Sequence, residues 1–288
     1  MDKIGILFHP KIAFAFPLAK ELEREAKSFG VSDVWLSSAW DELSIIAEAP
    51  GSGMVITLGG DGTILRAARA VSPLGVPILA VNLGKLGFLT ELSPDTACRE
   101  LPQFLAGRAW IEERIMLQVQ LKTTARSLTA RSVDGQATLD PDCSFHALNE
   151  VAVARGERLR VINVDVRIDG EKGPSYVGDG MIVSTPTGST GYSLAAGGPV
   201  LHPELGNFIV TPIAPHLKIG RAIVIPASST VELDIRTNDG AILSVDGQID
   251  VSLGTGDGAK VVRSPYVTRL LRARSRTYFY GALAARLK

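Results

Sequence analysis

The feature that most constrains this chain is a change of hydrophobic period near residue 111. Before it, short apolar runs alternate with stretches of helical length. Residues 4–8 read as a strand, 13–29 as an alanine- and charge-patterned helix ended by Gly30, 34–36 as a second strand and 38–48 as a polar helix. A fully apolar strand at 54–58, a helical run at 64–71, a strand at 76–82 and a helix at 94–105 complete the series. A β-α-β-α order implies a parallel sheet covered by helices on both faces. From 111 to about 262 the runs are shorter, rich in Val and Ile and interleaved with polar residues, as in MLQVQLK, TVELDIRT and AILSVDG. That pattern predicts antiparallel strands. The expected fold is therefore an α/β domain with a parallel sheet over 1–110 and a larger β-rich domain over 111–267. The tail, 268–288, returns to helix formers with aromatic anchors and is expected to pack back on the first domain. Residues 123–142 are polar and read as a mobile hairpin or loop.

Charge narrows the function classes. Lys+Arg and Asp+Glu both number 30, so no basic field points to nucleic acid or an anionic membrane. Cys98 and Cys143 lie far apart and predict two reduced thiols. No signal peptide or apolar run of membrane-spanning length is evident, so a cytoplasmic protein is expected.

The 29 glycines cluster in a few loops. Gly59-Gly60-Asp61-Gly62-Thr63 follows the apolar third strand and opens a helix, so its backbone amides and the helix dipole can receive a phosphate. Arg66 falls one turn later on the face of Thr63, placed to pair with a diphosphate. Asp61 is the exception, since a carboxylate repels phosphate; it makes sense as a proton acceptor from a hydroxyl or as a group acting through a metal ion. A plain turn with a helix cap would use the same residues. The P-loop lysine motif and the G-x-G-x-x-G spacing are both absent, which excludes the usual ATPase and dehydrogenase signatures. No His/Cys cluster has metal-ligand spacing, so no structural zinc is expected and no residue is assigned to a metal.

A second block, residues 178–193, runs GDGMIVSTPTGSTGYS. Its strand feeds into hydroxyls and glycines able to bind ring nitrogens and ribose oxygens, and Tyr192 offers a stacking face. Asn149-Glu150 precedes an alternating strand and supplies donors and acceptors together, suiting a sugar diol or an adenine edge.

GGDGT, VNLGKLGFLTEL, LNEVAV, GDGMIVSTPTGSTGYSLAAGGPVLHP, TPIAPH, SVDGQ and TYFY stand in the order found in NAD kinases, and the chain resembles that family over nearly its whole length. The resemblance implies a Rossmann-like N-terminal domain, a larger β-rich C-terminal domain and phosphorylation of the adenosine 2′-hydroxyl of NAD to give NADP. By matching motifs, Asp61 is the proton acceptor, and Gly62 and Arg66 contact the dinucleotide. Asn149 and Glu150 match the family's NAD-binding pair. Asp179, Thr187, Thr190, Gly191, Tyr192, Ser193, Leu194 and Ala195 fall on positions that hold adenine and ribose, with Arg160 and Gln248 as further contacts. Gly59, Gly60 and Thr63 form the phosphate-donor loop. ATP is the implied donor, inorganic polyphosphate a second one, with Mg²⁺ carried on ATP rather than in a protein cage. The resemblance also implies a homodimer or homotetramer.

Two departures stand out. The family's usual GSTAY is here GSTGY, so Gly191 replaces an alanine, and the missing methyl is expected to loosen the loop. An arginine that some members carry two residues before the aspartate is here Val177, its charge lost or supplied by Arg155 or Arg158. His9 and His216 lie near the expected site, His9 reading as structural. Lys85 reads equally as a donor-phosphate contact or as solvated, and the basic stretch 269–276 reads as a solvated face. Two other functions stay open: a lipid kinase of the diacylglycerol or sphingosine type sharing the GGDGT turn, and a non-catalytic NAD(P)-binding sensor.

Overall fold

The computed structural model describes residues 1–84, 87–123, 128–132, 135–139, 144–156, 160–216 and 220–286. The chain divides into two compact units, one of residues 1–114 with 266–288, the other of residues 115–265.

In the first unit, β1 (Lys3–Phe8), α1 (Ala15–Ser28), β2 (Asp33–Ser38), α2 (Glu42–Glu48), β3 (Met54–Gly59), α3 (Asp61–Val71), β4 (Ile78–Asn82) and α4 (Pro94–Leu105) follow one another. The strands pair in parallel in the order β2-β1-β3-β4. Alternate residues of β1, β3 and β4, among them Ile4, Ile6, Ile56, Leu58, Leu79 and Val81, join Leu18, Leu22, Leu101 and Phe104 of α1 and α4 in one core. Helices α2 and α3 pack together, with α3 on β3 and β4. The strand order turns back between β1 and β3, and the open crevice of such a sheet lies beyond the strand ends at that point. The GGDGT turn is at the end of β3.

Two expectations shift here. Residues 38–41 are not helical, because Ser38 completes β2 and the helix starts only where Asp41 caps it by accepting from the Ser44 N–H at 3.0 Å. The helix after GGDGT begins three residues earlier than its apolar run suggests, at Asp61 itself.

Among its described residues the second unit is built of strands, one short α-helix and a 3-10 turn at Gly188–Thr190. Its segments are β5 (Trp110–Lys122) from residue 115 on, β6 (Leu128–Ser132), β7 (Gly135–Leu139), β8 (Ser144–Ala147), β9 (Glu150–Arg155), β10 (Ile162–Ile168), β11 (Glu171–Gly178), β12 (Gly180–Ser184), α5 (Tyr192–Ala195), β13 (Asn207–Ile213), β14 (Ile223–Pro226), β15 (Val231–Arg236), β16 (Ala241–Val245), β17 (Ile249–Leu253) and β18 (Gly258–Arg272) as far as residue 265. One sheet runs β14-β13-β12-β9-β16-β17-β6-β7, all antiparallel. The other carries β11-β10-β15-β18, with β5 beside β18 and β8 beside β5. Val151, Val153, Met181, Val183 and Leu243 from the first sheet meet Leu117, Val119, Val164, Leu233 and Ile235 from the second in one apolar core. The alternation read from the sequence is the alternation of these two inner faces. Within 123–142, β6 and β7 form an antiparallel hairpin, while residues 124–127, 133, 134 and 140–142 lie outside the described residues.

The tail differs from a simple helical return. Leu270 pairs in parallel with Ile78 of β4, so β18 carries the chain as strand through Arg272, and only α6 (Tyr278–Arg286) is helix. Pairing with a buried neighbour outweighs the helix preference of Leu and Arg there.

Candidate active site

In the first unit, Gly60 caps α3 with extended backbone (φ −99°, ψ −171°) and Asp61 is the first helical residue. The half-buried Asp61 carboxylate does not point along the helix. It accepts from the Phe88 N–H at 3.1 Å (Oδ2) and from the Leu89 N–H at 3.4 Å (Oδ1). It also lies against Gly87, where a β-carbon would overlap the carboxylate. Two motifs 27 residues apart in sequence are thus one structure. The loop carrying Gly87 is tied at both ends to the sheet. Leu83 donates to the Gly59 carbonyl at 3.0 Å, Glu91 to the Ala80 carbonyl at 2.8 Å, and Asn82 to the Leu92 carbonyl at 2.8 Å.

The glycines of the turn have separate physical reasons. A β-carbon on Gly59 would collide with the buried Thr63 side chain. At Gly60 and Gly62 a β-carbon would meet nothing within 4 Å, and neither residue has positive φ. Neither packing nor conformation demands glycine at those two positions.

Arg66 is 9% exposed and stacks over Trp40, its guanidinium carbon 5.4 Å from the ring centroid. His9 meets the same ring edge-on at 5.3 Å and Lys11 lies over it at 4.6 Å. Burial, Lys11 and Arg66 together hold the His9 imidazole below its ordinary value. His9 Nδ1 accepts from the Lys11 N–H at 3.2 Å, a local structural role. Lys85 lies outside the described residues.

The basic stretch 269–276 is not a uniformly solvated face. Arg272 is 7% exposed and sits among Glu91 (2%) and Glu112 (8%), with Arg114 (4%) bound to Glu112 at 2.9 Å. Arg269 pairs with Glu113, and Arg274 and Arg276 stack over Tyr278 and Trp110. Burial would raise the Glu112 carboxyl, but Arg114 and Arg272 more than offset that and hold it below the usual carboxylate range. Sequence reading missed this quartet because its members lie on three separated segments. The one available signal is Glu91, an acidic residue in the largely apolar stretch GFLTEL.

In the second unit, Asn149-Glu150 opens β9 and faces the turn that follows β12. Thr185 donates its N–H to the Asn149 carbonyl at 2.9 Å and its hydroxyl to the Leu148 carbonyl at 2.6 Å. A β-carbon on Gly188 would overlap Asn149. Gly191 lies over the pair: a β-carbon there would stand 3.1 Å from Glu150 Oε2 and 3.8 Å from Asn149 Nδ2. Gly191 thus leaves space at the glutamate. The pair is held from behind by Asp246, whose Oδ1 accepts from the Asn149 and Glu150 N–H groups at 2.8 and 3.0 Å and whose Oδ2 accepts from Leu148 at 2.8 Å. Asp246 has φ +52°, a turn conformation that Asp tolerates. It belongs to the SVDGQ motif, yet no role for it was expected. Gln248 follows in the same turn.

Glu150 is 9% exposed and its Oε2 is buried without a hydrogen-bond partner. Burial first, and the Asp246 charge second, push its carboxyl up to about 8, with a Tyr192 backbone hydrogen bond pulling the other way. Glu150 is protonated at neutral pH, able to donate as well as accept.

The remaining expected residues divide. Tyr192 is 44% exposed and Ala195 is exposed, whereas Thr187 is buried and Thr190 half-buried. Ser193 is fully buried with its hydroxyl on Thr211 Oγ1 at 3.0 Å, so its side chain supports the turn from beneath. Leu194 is half-buried. Gly178 and Gly180 admit the backbone of neighbouring strands, at 213–215 and at Val153 and Ala154. Asp179 pairs with Arg155 at 3.2 Å, and Arg158 lies outside the described residues. Arg160 is largely exposed and reaches Asp239 at 3.4 Å. His216 is exposed. Cys98 is free, its thiol pushed up to about 11 by burial and Glu21; Cys143 lies outside the described residues.

Comparison with known proteins agrees with this geometry. Residues 19–109 match the ATP-NAD kinase N-terminal domain and residues 148–273 the ATP-NAD kinase C-terminal domain. An NAD kinase of Dehalococcoides mccartyi is 43% identical over 99% of this chain and 96% of its own length. An NAD kinase from Archaeoglobus fulgidus, solved in complex with ATP, superposes with a TM-score of 0.77 at 26% identity, covering 98% of this chain and 99% of that one. Yeast NADH kinase complexed with NADH shares the fold, with a TM-score of 0.79 at 24% identity over 100% of this chain and 87% of its own. With both domain profiles matched and full-length relatives above 40% identity, this chain belongs to the NAD kinase family.

Proposed function

We infer that this member of the NAD kinase family transfers the terminal phosphoryl group of ATP to the adenosine 2′-hydroxyl of NAD, with Asp61 accepting the hydroxyl proton. In that step the O2′–P bond forms, the bond from phosphorus to the ADP oxygen breaks, and the proton passes to Asp61. The observation that carries the reading is the attitude of Asp61. A carboxylate at a phosphate-receptive helix start would be a liability for anion binding alone. The Phe88 and Leu89 N–H groups orient its two oxygens from the loop that follows β4. General-base assistance by such a group contributes about 10²–10⁴-fold.

Gly59, Gly60 and Thr63 form the donor loop in this reading, at the start of α3, where the helix dipole favours phosphate. Arg66 and Gly62 contact the dinucleotide. Asn149, Glu150, Asp179, Thr187, Thr190, Gly191, Tyr192 and Ala195 receive adenine and ribose, with Arg160 and Gln248 as outer contacts. The orphaned Glu150 Oε2 suits a ligand donor, since a buried carboxyl oxygen with no partner gains from an amino or hydroxyl group. Mg²⁺ arrives on ATP, and its charge offsets that of the phosphates. We place the protein in the cytoplasm as a homodimer or homotetramer that binds neither nucleic acid nor membrane; no helix among the described residues is long and apolar enough to cross a membrane.

The test is incubation of the purified protein with NAD and Mg²⁺, with ATP or polyphosphate as donor, and an assay for NADP. NADP formation supports the reading. Folded protein that makes none, or that phosphorylates a diacylglycerol or sphingosine instead, overturns it.

A further inference from the structure

Arg272 stands 211 residues from Asp61 in sequence, yet a single residue, Leu89, links them in space. Its Nη1 donates to the Leu89 carbonyl at 2.9 Å, and the N–H of that same Leu89 donates to Asp61 Oδ1 at 3.4 Å. Arg272 is itself fixed. Its Nε donates to Glu112 Oε2 at 2.8 Å and its Nη1 reaches Glu91 Oε2 at 3.4 Å. The other Glu91 oxygen accepts from the Ala273 and Arg274 N–H groups at 3.0 and 2.9 Å, binding the end of β18 to the base of the loop. Every charged member of this cluster except Arg274 is more than nine-tenths buried.

A buried ionic quartet is a poor means of raising stability, because desolvation offsets most of its attraction. Its geometric value is larger, since a guanidinium held on two carboxylates has one orientation and presents its remaining N–H groups in one direction. Here that direction is the Leu89 carbonyl. We propose that Arg272 is a positioning residue for phosphoryl transfer, fixing the segment Gly87-Phe88-Leu89 so that its amides aim the Asp61 carboxylate at the acceptor hydroxyl. The proposal rests on Asp61 being the proton acceptor.

Arg272→Lys keeps the charge but cannot span Glu112 and the Leu89 carbonyl together. Its kcat for NADP formation should fall at least tenfold, as expected when a reacting group is displaced by a fraction of an ångström, while KM for NAD and ATP changes less than threefold. Arg114→Lys disturbs the same quartet away from the loop, and should lower Tm comparably with kcat within twofold of the parent. In an Asp61→Asn background, Arg272→Lys should have little further effect on kcat, because the two act through one step. If Arg272→Lys does not fold, Glu112→Gln carries the test, with a kcat-specific loss of several-fold expected. The proposal is overturned if the loop-side variant keeps its kcat, if Arg114→Lys loses kcat equally, or if the Arg272 effect is undiminished without Asp61. Near-normal turnover of Asp61→Asn alone would instead remove the proton-acceptor reading, and this proposal with it.

Discussion

The Asp61 carboxylate rests on the Cα of Gly87, in the space a β-carbon would occupy. Glycine at 87 is therefore a requirement of the residue at 61. Gly87→Ala should push the carboxylate off the Phe88 and Leu89 amides and reduce kcat roughly 10²-fold, the scale of misplacing a reacting group. The fold should survive, because the loop is anchored by backbone bonds to β3 and β4 on either side. Steady-state NADP formation alongside a melting curve checks this; unchanged kcat would mean that the carboxylate moves freely.

Asp61→Asn keeps the shape of the side chain and removes its basicity. NAD binding, measured calorimetrically, should be retained within a few-fold, with turnover lower by about 10²–10⁴-fold. Turnover near the parent's would place the base elsewhere.

Glu150 makes stability depend on pH. Its folded carboxyl is raised to about 8 from an ordinary 4.5, by burial and then by Asp246. For a raised group, the stability contribution is fully present below the unfolded value and is lost as pH rises through the folded one, because only the unfolded state ionises freely between them. Glu150→Gln removes that penalty. The Gln variant should match the parent's Tm at pH 5 and exceed it at pH 8.5, by up to a few kcal/mol in stability. Equal Tm differences at the two pH values would show that Glu150 does not titrate in this window.

Asp246 accepts three backbone N–H groups, from Leu148, Asn149 and Glu150. Asp246→Asn tolerates the same positive φ but brings an amide donor against donors. The expected cost is about 1–3 kcal/mol, from a buried donor left without its acceptor. KM for NAD should also rise, since the Asn149-Glu150 backbone loses its support. Denaturant melts and KM measurements test the two halves separately; a stability loss with unchanged KM would uncouple Asp246 from the pair.

Gly191→Ala, the family's usual residue, would bring a β-carbon within 3.1 Å of Glu150 Oε2 and 3.3 Å of the Gly188 carbonyl. The carboxyl must shift by a few tenths of an ångström. KM for NAD should therefore change two- to tenfold with kcat nearly constant, which kinetics on the single variant would reveal. A change confined to kcat would contradict Gly191 acting through the binding pocket.

Much of this protein was legible in its sequence. The shift from helical to two-residue period divided an α/β unit from a β-rich one because side-chain alternation is set by local backbone geometry. GGDGT announced a tight turn before a helix, and the resemblance named Asp61, Asn149 and Glu150. Local pattern could not say which way the Asp61 carboxylate turns, that Gly87 makes room for it, or that Asp246 supports Asn149 and Glu150. Nor could it show that Arg272, in a stretch rich in charge, is buried on Glu91 and Glu112 rather than solvated. Each of these depends on backbone groups brought together from distant segments. Hydrogen-bond direction and burial are properties of that assembled neighbourhood. The sequence determined the elements and the chemical groups available, and the tertiary structure decided where those groups point.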